Sequence, residues 1–260
     1  MTMVWIGLLL LSTGSVHYER ANQFFQQQRF SEAETEITAA LQENPNLVLA
    51  LTLKAKLAMG FNRFDQAREA LLKAAALQPE SANVQFLLGF FYCVDNDFQK
   101  AIDVLESARK LNPADPRTTF YLALSRDGLG QADAAVALYQ STIELERKAG
   151  KSAPDVHVAY SRLLFALGRF EECEKQVAQA ILLDPKSRDA HYEQGRLYLQ
   201  KGAYSSAVEE GEKALAIPGL GTLDRQIHFL LARAYSKMDK KGLADHHLAK
   251  FKGSGVTLRR

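Results

Sequence analysis

Residues 82–113 read ANVQFLLGFFYCVDNDFQKAIDVLESARKLNP, and this stretch decides the fold. It reads as two helices joined by a short turn. Gly89 is a small residue placed where the first helix must approach its partner, and Tyr92, three positions on, is a large residue on the same helical face. Phe98 marks the turn. Ala101 and Leu105 stand four apart, as the buried face of an amphipathic second helix requires. Pro113 then ends the unit, because proline has no backbone N–H with which to continue a helix.

Working outward, the same slots return every 34 residues: Pro45, Pro79 and Pro113; Ala33, Ala67, Ala101 and Ala135; Ala40, Ala74 and Ala108. A fixed period in this range signals stacked supersecondary units rather than one globular core. The repeats fall at 14–47, 48–81, 82–115, 116–149, 154–187, 188–221 and 225–258. The small slot of the first helix holds Ala21, Ala55, Gly89, Ala123, Ser161, Gly195 and Ala232, and the large slot holds Phe24, Tyr92, Leu164, Tyr198 and Tyr235. Phe30, Phe64, Phe98, Phe170 and Tyr204 mark the turns. The fourth repeat departs, with Arg126 in the large slot, Ala132 at the turn, Arg147 in place of proline and the insertion Gly150–Ala153. Its second helix is expected to run about one turn longer. Gly211 lies inside the second helix of the sixth repeat, at a propensity cost of roughly 1 kcal/mol.

This combination resembles the tetratricopeptide repeat family over essentially all of residues 14–258. The resemblance implies an all-α fold, a right-handed superhelical solenoid of antiparallel helix pairs whose first helices line a concave groove. One helix pair cannot bury its own apolar face, so units stack and the ends need polar caps. The last helix suits a cap, with Leu243, Leu248 and Phe251 expected inward and Asp245, His246, His247 and Lys250 in water.

Bulk properties narrow the partners. Of 260 residues, 47% are apolar and 24% charged, which is the composition of a folded soluble protein. A net charge of +2 with interleaved signs, and a pI of about 8.4, give no electrostatic footprint for nucleic acid. Val4 to Leu11 (VWIGLLLL), followed by Ser12–Ser15, resembles a secretory signal peptide over residues 1–15, the alternative being an apolar N-terminal segment that caps the first repeat. That reading favours an exported or periplasmic protein over a cytoplasmic one. The run is too short for a transmembrane span, which needs roughly 20 apolar residues. Cys93 and Cys173 lie in different repeats, and Cys173 occupies an alanine slot, so a packed thiol is expected there and no disulfide.

No catalytic constellation is present. HExxH, paired CxxC, GxSxG and a glycine-rich phosphate loop are all missing from the sequence. The six histidines are scattered, and His17, His157, His191 and His228 share one slot near the start of a first helix, so the periodicity places them as packing residues. No cofactor-binding or metal-binding residue is expected, and the chain reads as a non-catalytic protein.

The informative residues lie on the first helices, facing away from the second helices. One ladder runs Asn22, Lys56, Phe90, Leu124, Arg162, Arg196, Arg233, and a flanking one runs Tyr18, Thr52, Phe86, Phe120, Val158, Tyr192, Phe229. Phe86, Phe90, Phe120 and Leu124 form an apolar zone on a face that ought to be wet, the mark of a binding site; the opposing reading is that superhelical curvature lets neighbouring repeats bury these rings. Arg162, Arg196 and Arg233, alternating with Tyr192 and Phe229, suit a carboxylate or acidic peptide. The opposing reading has Asp155, Asp189 and Glu193 neutralise those arginines. Family members that grip the C-terminal carboxylate of chaperones place Lys, Asn and Arg at fixed groove slots. Here only Asn22 matches; Tyr18 stands at the lysine slot and Thr52, Leu53 and Leu87 at others, so a cochaperone of that type is not expected. The function expected is an adaptor holding a protein or peptide partner in the groove. The alternative is a structural assembly element that self-associates through its convex face or ends.

Overall fold

A computed structural model describes residues 13–219 and 223–253, so the expected signal segment lies almost wholly outside the described residues. Among them the chain forms fourteen α-helices in consecutive antiparallel pairs, and no strand. The pairs are α1 (Thr13–Gln26) with α2 (Phe30–Glu43), α3 (Val48–Gly60) with α4 (Phe64–Leu77), α5 (Ala82–Val94) with α6 (Phe98–Leu111), and α7 (Pro116–Gly128) with α8 (Ala132–Lys148). There follow α9 (Pro154–Ala166) with α10 (Phe170–Leu183), α11 (Arg188–Gln200) with α12 (Tyr204–Ala216), and α13 (Asp224–Lys237) with α14 (Lys241–Gly253). Helix α8 has 17 residues where most second helices have 14, the extension anticipated from the Gly150–Ala153 insertion. Two compact units divide at Leu138 and Tyr139.

One backbone device makes every pair. The second residue after each first helix has positive φ: Gln28, Asn62, Asn96, Gly130, Gly168, Gly202 and Asp239. The next residue returns its N–H to a carbonyl five positions back, from Arg29 to Phe24, Arg63 to Ala58, Asp97 to Tyr92, Gln131 to Arg126, Arg169 to Leu164, Ala203 to Tyr198 and Lys240 to Tyr235. All seven bonds span 2.8–3.0 Å. This is the Schellman closure, which satisfies carbonyls at the helix end and turns the chain sharply.

Behind the turns the helices approach through the small slots, and all seven small-slot residues of the first helices are buried. In the first unit Leu71, Leu87, Leu88, Phe91, Leu105 and Leu122 form a continuous core with Ala55, Ala67 and Ala101. In the second unit Tyr139 stacks on Tyr160 with centroids 5.4 Å apart, and both are buried. Gly211 has a packing reason the sequence did not reveal. A Cβ there would lie 2.7 Å from Leu231 Cδ2, and one on Gly195 would lie 2.8 Å from Leu230 Cδ2. The two glycines admit these leucines of α13 to the α11–α12 surface. Buried Arg188 adds a polar tie, donating to the Ile217 carbonyl at 2.9 Å and pairing with Asp224.

The slot-sharing histidines clasp first helix to second across 19 residues each time. His17 Nδ1 meets Glu36 at 2.5 Å, His157 meets Gln176 at 2.7 Å, His191 meets Glu210 at 2.6 Å, and His228 meets His247 at 3.0 Å. The last contact corrects the expectation for α14. His247, expected in water, is buried, while Leu243, expected inward, is 45% exposed. The helix presents His247 to His228 and Tyr235 instead, its ring stacked 5.5 Å from Tyr235.

Gln28→Gly is expected to stabilise the chain by about 1 kcal/mol and Gly168→Ala to destabilise it by a similar amount, because a side chain at positive φ is strained. Urea unfolding of the two variants checks both signs. The histidine pair adds a pH dependence. Burial holds His228 and His247 below the ordinary histidine range; for His247 the neighbouring His228 and His246 push the same way, and for His228 Lys250 and His246 do so against Asp224 and Glu212. The unfolded chain therefore binds more protons as pH falls through about 6.5, and native stability falls with it. Hydrogen exchange is expected to show α14 opening more readily at pH 5.5 than at pH 7.5, after correction for intrinsic rates. An opening equilibrium indifferent to pH would show that the pair does not hold the helix.

Candidate partner-binding site

In the second unit, α9, α11 and α13 lie side by side and enclose a trough of about 980 Å³, open to solvent. Helical spacing builds its walls. Asp189, Tyr192, Glu193 and Arg196 stand at i, i+3, i+4 and i+7 on α11, and Gln226, Phe229, Leu230 and Arg233 repeat that pattern on α13. Arg162 and Phe165 come from α9. All five residues singled out in the C-terminal half, Arg162, Tyr192, Arg196, Phe229 and Arg233, line this one cavity.

The polar geometry is organised by Glu193, which is 1% exposed. Its carboxylate accepts from Arg162 Nε at 2.8 Å and from Arg196 Nη1 at 2.5 Å, and Asp189 takes Arg162 Nη2 at 3.3 Å. The Arg196 guanidinium lies 4.2 Å over the Phe165 ring and 5.8 Å from Tyr192, within cation–π range. Arg233 sits 5.9 Å from the Phe229 centroid, and among the described residues no carboxylate lies within 4 Å of it. Of the three carboxylates expected to neutralise the arginines, Asp189 and Glu193 do so. Three arginines against two carboxylates leave one net positive charge in the trough. Burial first, then the Glu193 charge, pushes the nearby Cys173 thiol up to about 11, so it is a neutral packing residue. Burial likewise raises Tyr192, which stays a neutral phenol.

The apolar zone of the first unit is a different object. Phe86, expected on a wet face, is 6% exposed. Phe90 stacks on it at 6.3 Å, and the Arg117 guanidinium covers it at 4.6 Å. Tyr121 joins the group, 5.9 Å from Phe86, 4.8 Å from Phe90 and 5.4 Å from Phe120. Phe86 is thus a seat for the other rings rather than a contact surface. Phe90, Phe120 and Leu124 remain half-buried. Leu124 also lines, with Tyr121 and Cys93, a shallow depression of about 440 Å³. Sequence reading missed Tyr121, which lies outside both ladders; its place one residue after Phe120 and three before Leu124 was the available signal.

A family model of the tetratricopeptide repeat matches residues 52–116, 94–154 and 158–220. The Hsp70-Hsp90 organising protein of Plasmodium falciparum (isolate 3D7) is 24% identical over 203 residues, which cover 78% of this chain and 29% of that protein. Tetratricopeptide repeat protein 16 of Homo sapiens is 25% identical over 245 residues, 92% of this chain and 26% of that protein. The chain therefore spans under a third of the length of these curated relatives. A tetratricopeptide repeat protein from Parabacteroides merdae ATCC 43184 superposes with a TM-score of 0.68 at 15% identity, over 87% of this chain and 86% of that one. A chain of the APC/C hetero-tetramer Cut9-Hcn1 gives 0.75 at 18% identity, over 85% of this chain and 42% of that one. These likenesses establish the fold.

Removing both arginines around Glu193 is expected to cost more stability than removing its charge. Arg162→Ala with Arg196→Ala strands a buried carboxylate, a loss of about 3–5 kcal/mol. Glu193→Gln leaves two arginines that water already reaches, a loss of about 1–2 kcal/mol. Chemical denaturation of the two variants checks the order.

Proposed function

This chain belongs to the tetratricopeptide repeat family, whose members serve as protein-interaction scaffolds, and we propose that it is a non-catalytic adaptor holding a segment of a partner protein against its first helices. The observation that carries this reading is the trough on α9, α11 and α13, lined by the same slots of three successive repeats. Its volume is in the range of ligand-binding clefts, and its walls combine apolar side chains with a few placed charges. A ring burying about 100 Å² against a ligand contributes up to roughly 2.5 kcal/mol before ordering costs. The half-buried rings Phe90 and Phe120 offer a second, apolar contact in the first unit.

Binding fits the chemistry better than catalysis does. The charged groups of the trough are arginines and the carboxylates paired with them, and its phenol is neutral. Among the described residues no group of three His, Cys, Asp or Glu could hold a metal ion, and no helix is long and apolar enough to cross a membrane. One relative's name couples it to Hsp70 and Hsp90. We do not extend those partners to this chain, because Thr52, Leu53 and Leu87 are buried apolar or back-bonded residues where a carboxylate grip needs charge. Self-association remains the second reading, resting on Leu72, Leu77 and Leu111, which are exposed along the second helices of the first unit.

Affinity capture from native extract tests the proposal with three baits: the unaltered chain, Phe229→Ala with Arg233→Ala, and Phe90→Ser with Phe120→Ser, all shown equally helical by circular dichroism. A client retained by the first bait and lost from the second is the expected outcome. A client kept by all three baits moves binding off the first helices, and concentration-dependent oligomers in sedimentation of all three would favour self-association.

A further inference from the structure

We propose that the trough of the second unit selects a partner segment with one acidic side chain beside an apolar one, and that Glu193 is the positioning residue that sets the limit at one. This rests on the groove-binding reading above and deepens it.

The three arginines of the ladder are not equivalent. A guanidinium binds a carboxylate best through two parallel N–H groups on one edge. Arg162 has already given Nε to Glu193 and Nη2 to Asp189. Arg196 has given Nη1 to Glu193 and lies over the Phe165 ring. Arg233 alone has no resident carboxylate, and it stands exposed beside Phe229. The single uncompensated positive charge of the trough is therefore located at Arg233. An incoming carboxylate pairs there without displacing a resident one. A second acidic group would have to settle near Arg162 or Arg196, where Asp189 and Glu193 repel it. A basic segment meets an unpaired arginine and gains no fork in return.

The apolar part follows from the walls. Phe229 and Leu230 precede Arg233 on its own helix, and Leu199 faces from α11. An apolar side chain seated there shields the Arg233 pair from water, which strengthens a charge-assisted bond. Lining continues on both sides of Arg233, toward Leu199 and along α13 to Leu223, so a segment runs past this point rather than ending at it. The carboxylate is accordingly a side chain of Asp or Glu within a continuous segment.

Panning a random dodecamer phage library on the full-length protein tests this. Peptides dependent on the trough are those lost on Tyr192→Ala with Phe229→Ala, and they are expected to carry one Asp or Glu next to Phe, Leu or Trp. A selected peptide, synthesised with blocked ends, is expected to bind at least about tenfold more weakly when its acid becomes the amide or when the protein carries Arg233→Gln. Against Arg233→Glu the pool is expected to turn to Lys and Arg. Against Glu193→Gln, which raises the uncompensated charge of the trough from one to two, peptides with two acidic residues are expected to enter the pool; a purely structural role for Glu193 would weaken all peptides without changing their charge. Trough-dependent peptides without acidic enrichment, or indifferent to Arg233→Gln, overturn the acid preference and leave groove binding intact. An unchanged charge count with Glu193→Gln overturns the positioning role. Recovery of no trough-dependent peptide overturns groove binding as well.

Discussion

Each repeat depends on one residue held at positive φ. Without it the first helix does not close on its own carbonyls, and the chain does not reverse within three residues. The small slots then fail to meet, and a helix with an apolar stripe and no partner is not stable in water. The groove ladder follows from the same constraint. Arg196 and Arg233 hold the same slot of successive first helices and line one trough. The residues at these turns share no chemistry: a glutamine, two asparagines, three glycines and an aspartate. They share only a tolerance for the left-handed region.

That explains what the sequence could and could not tell. The small slots were legible because close helix approach demands low volume, and Ala21, Ala55, Gly89 and Ser161 meet that demand by composition alone. The turn slot escaped notice because conformation, unlike volume, leaves no fixed residue type behind. Five groove residues of the second unit were found by slot arithmetic, since exposure opposite the packed face is a property of one helix. Phe86 follows the opposing reading, burial by a neighbouring repeat. Its cover comes from Arg117 and Tyr121 of the next repeat, which a wheel drawn on its own helix does not contain. Glu193 was recognised as a neutralising neighbour, yet its burial needs Arg162 from another helix, 31 residues away in sequence. At the last described helix the periodic signal was weakest, because Lys241 stands where other repeats carry a turn aromatic. There His247 displaced Leu243 from the inward position.

The two units carry surfaces of unlike physics. In the first, four rings and a guanidinium pack on one another and leave half-exposed edges. Such a cluster is preorganised and offers area with little charge to orient it. In the second, the rings are spaced by arginines whose charge is mostly spent on buried and half-buried carboxylates. Area and direction are thus separated, with direction concentrated at few atoms. Mutations in the first are expected to act through packing, and those in the second through charge balance.

The paired glycines of the sixth repeat bear on modularity rather than on binding. In a repeat array each unit packs on its neighbours, and stability is close to a sum of unit and interface contributions. Gly195 and Gly211 leave room that Leu230 and Leu231 of the next repeat occupy. That interface is matched by shape: a side chain on either glycine would collide with a leucine of α13, so a unit exchanged into either place would have to carry the same fit.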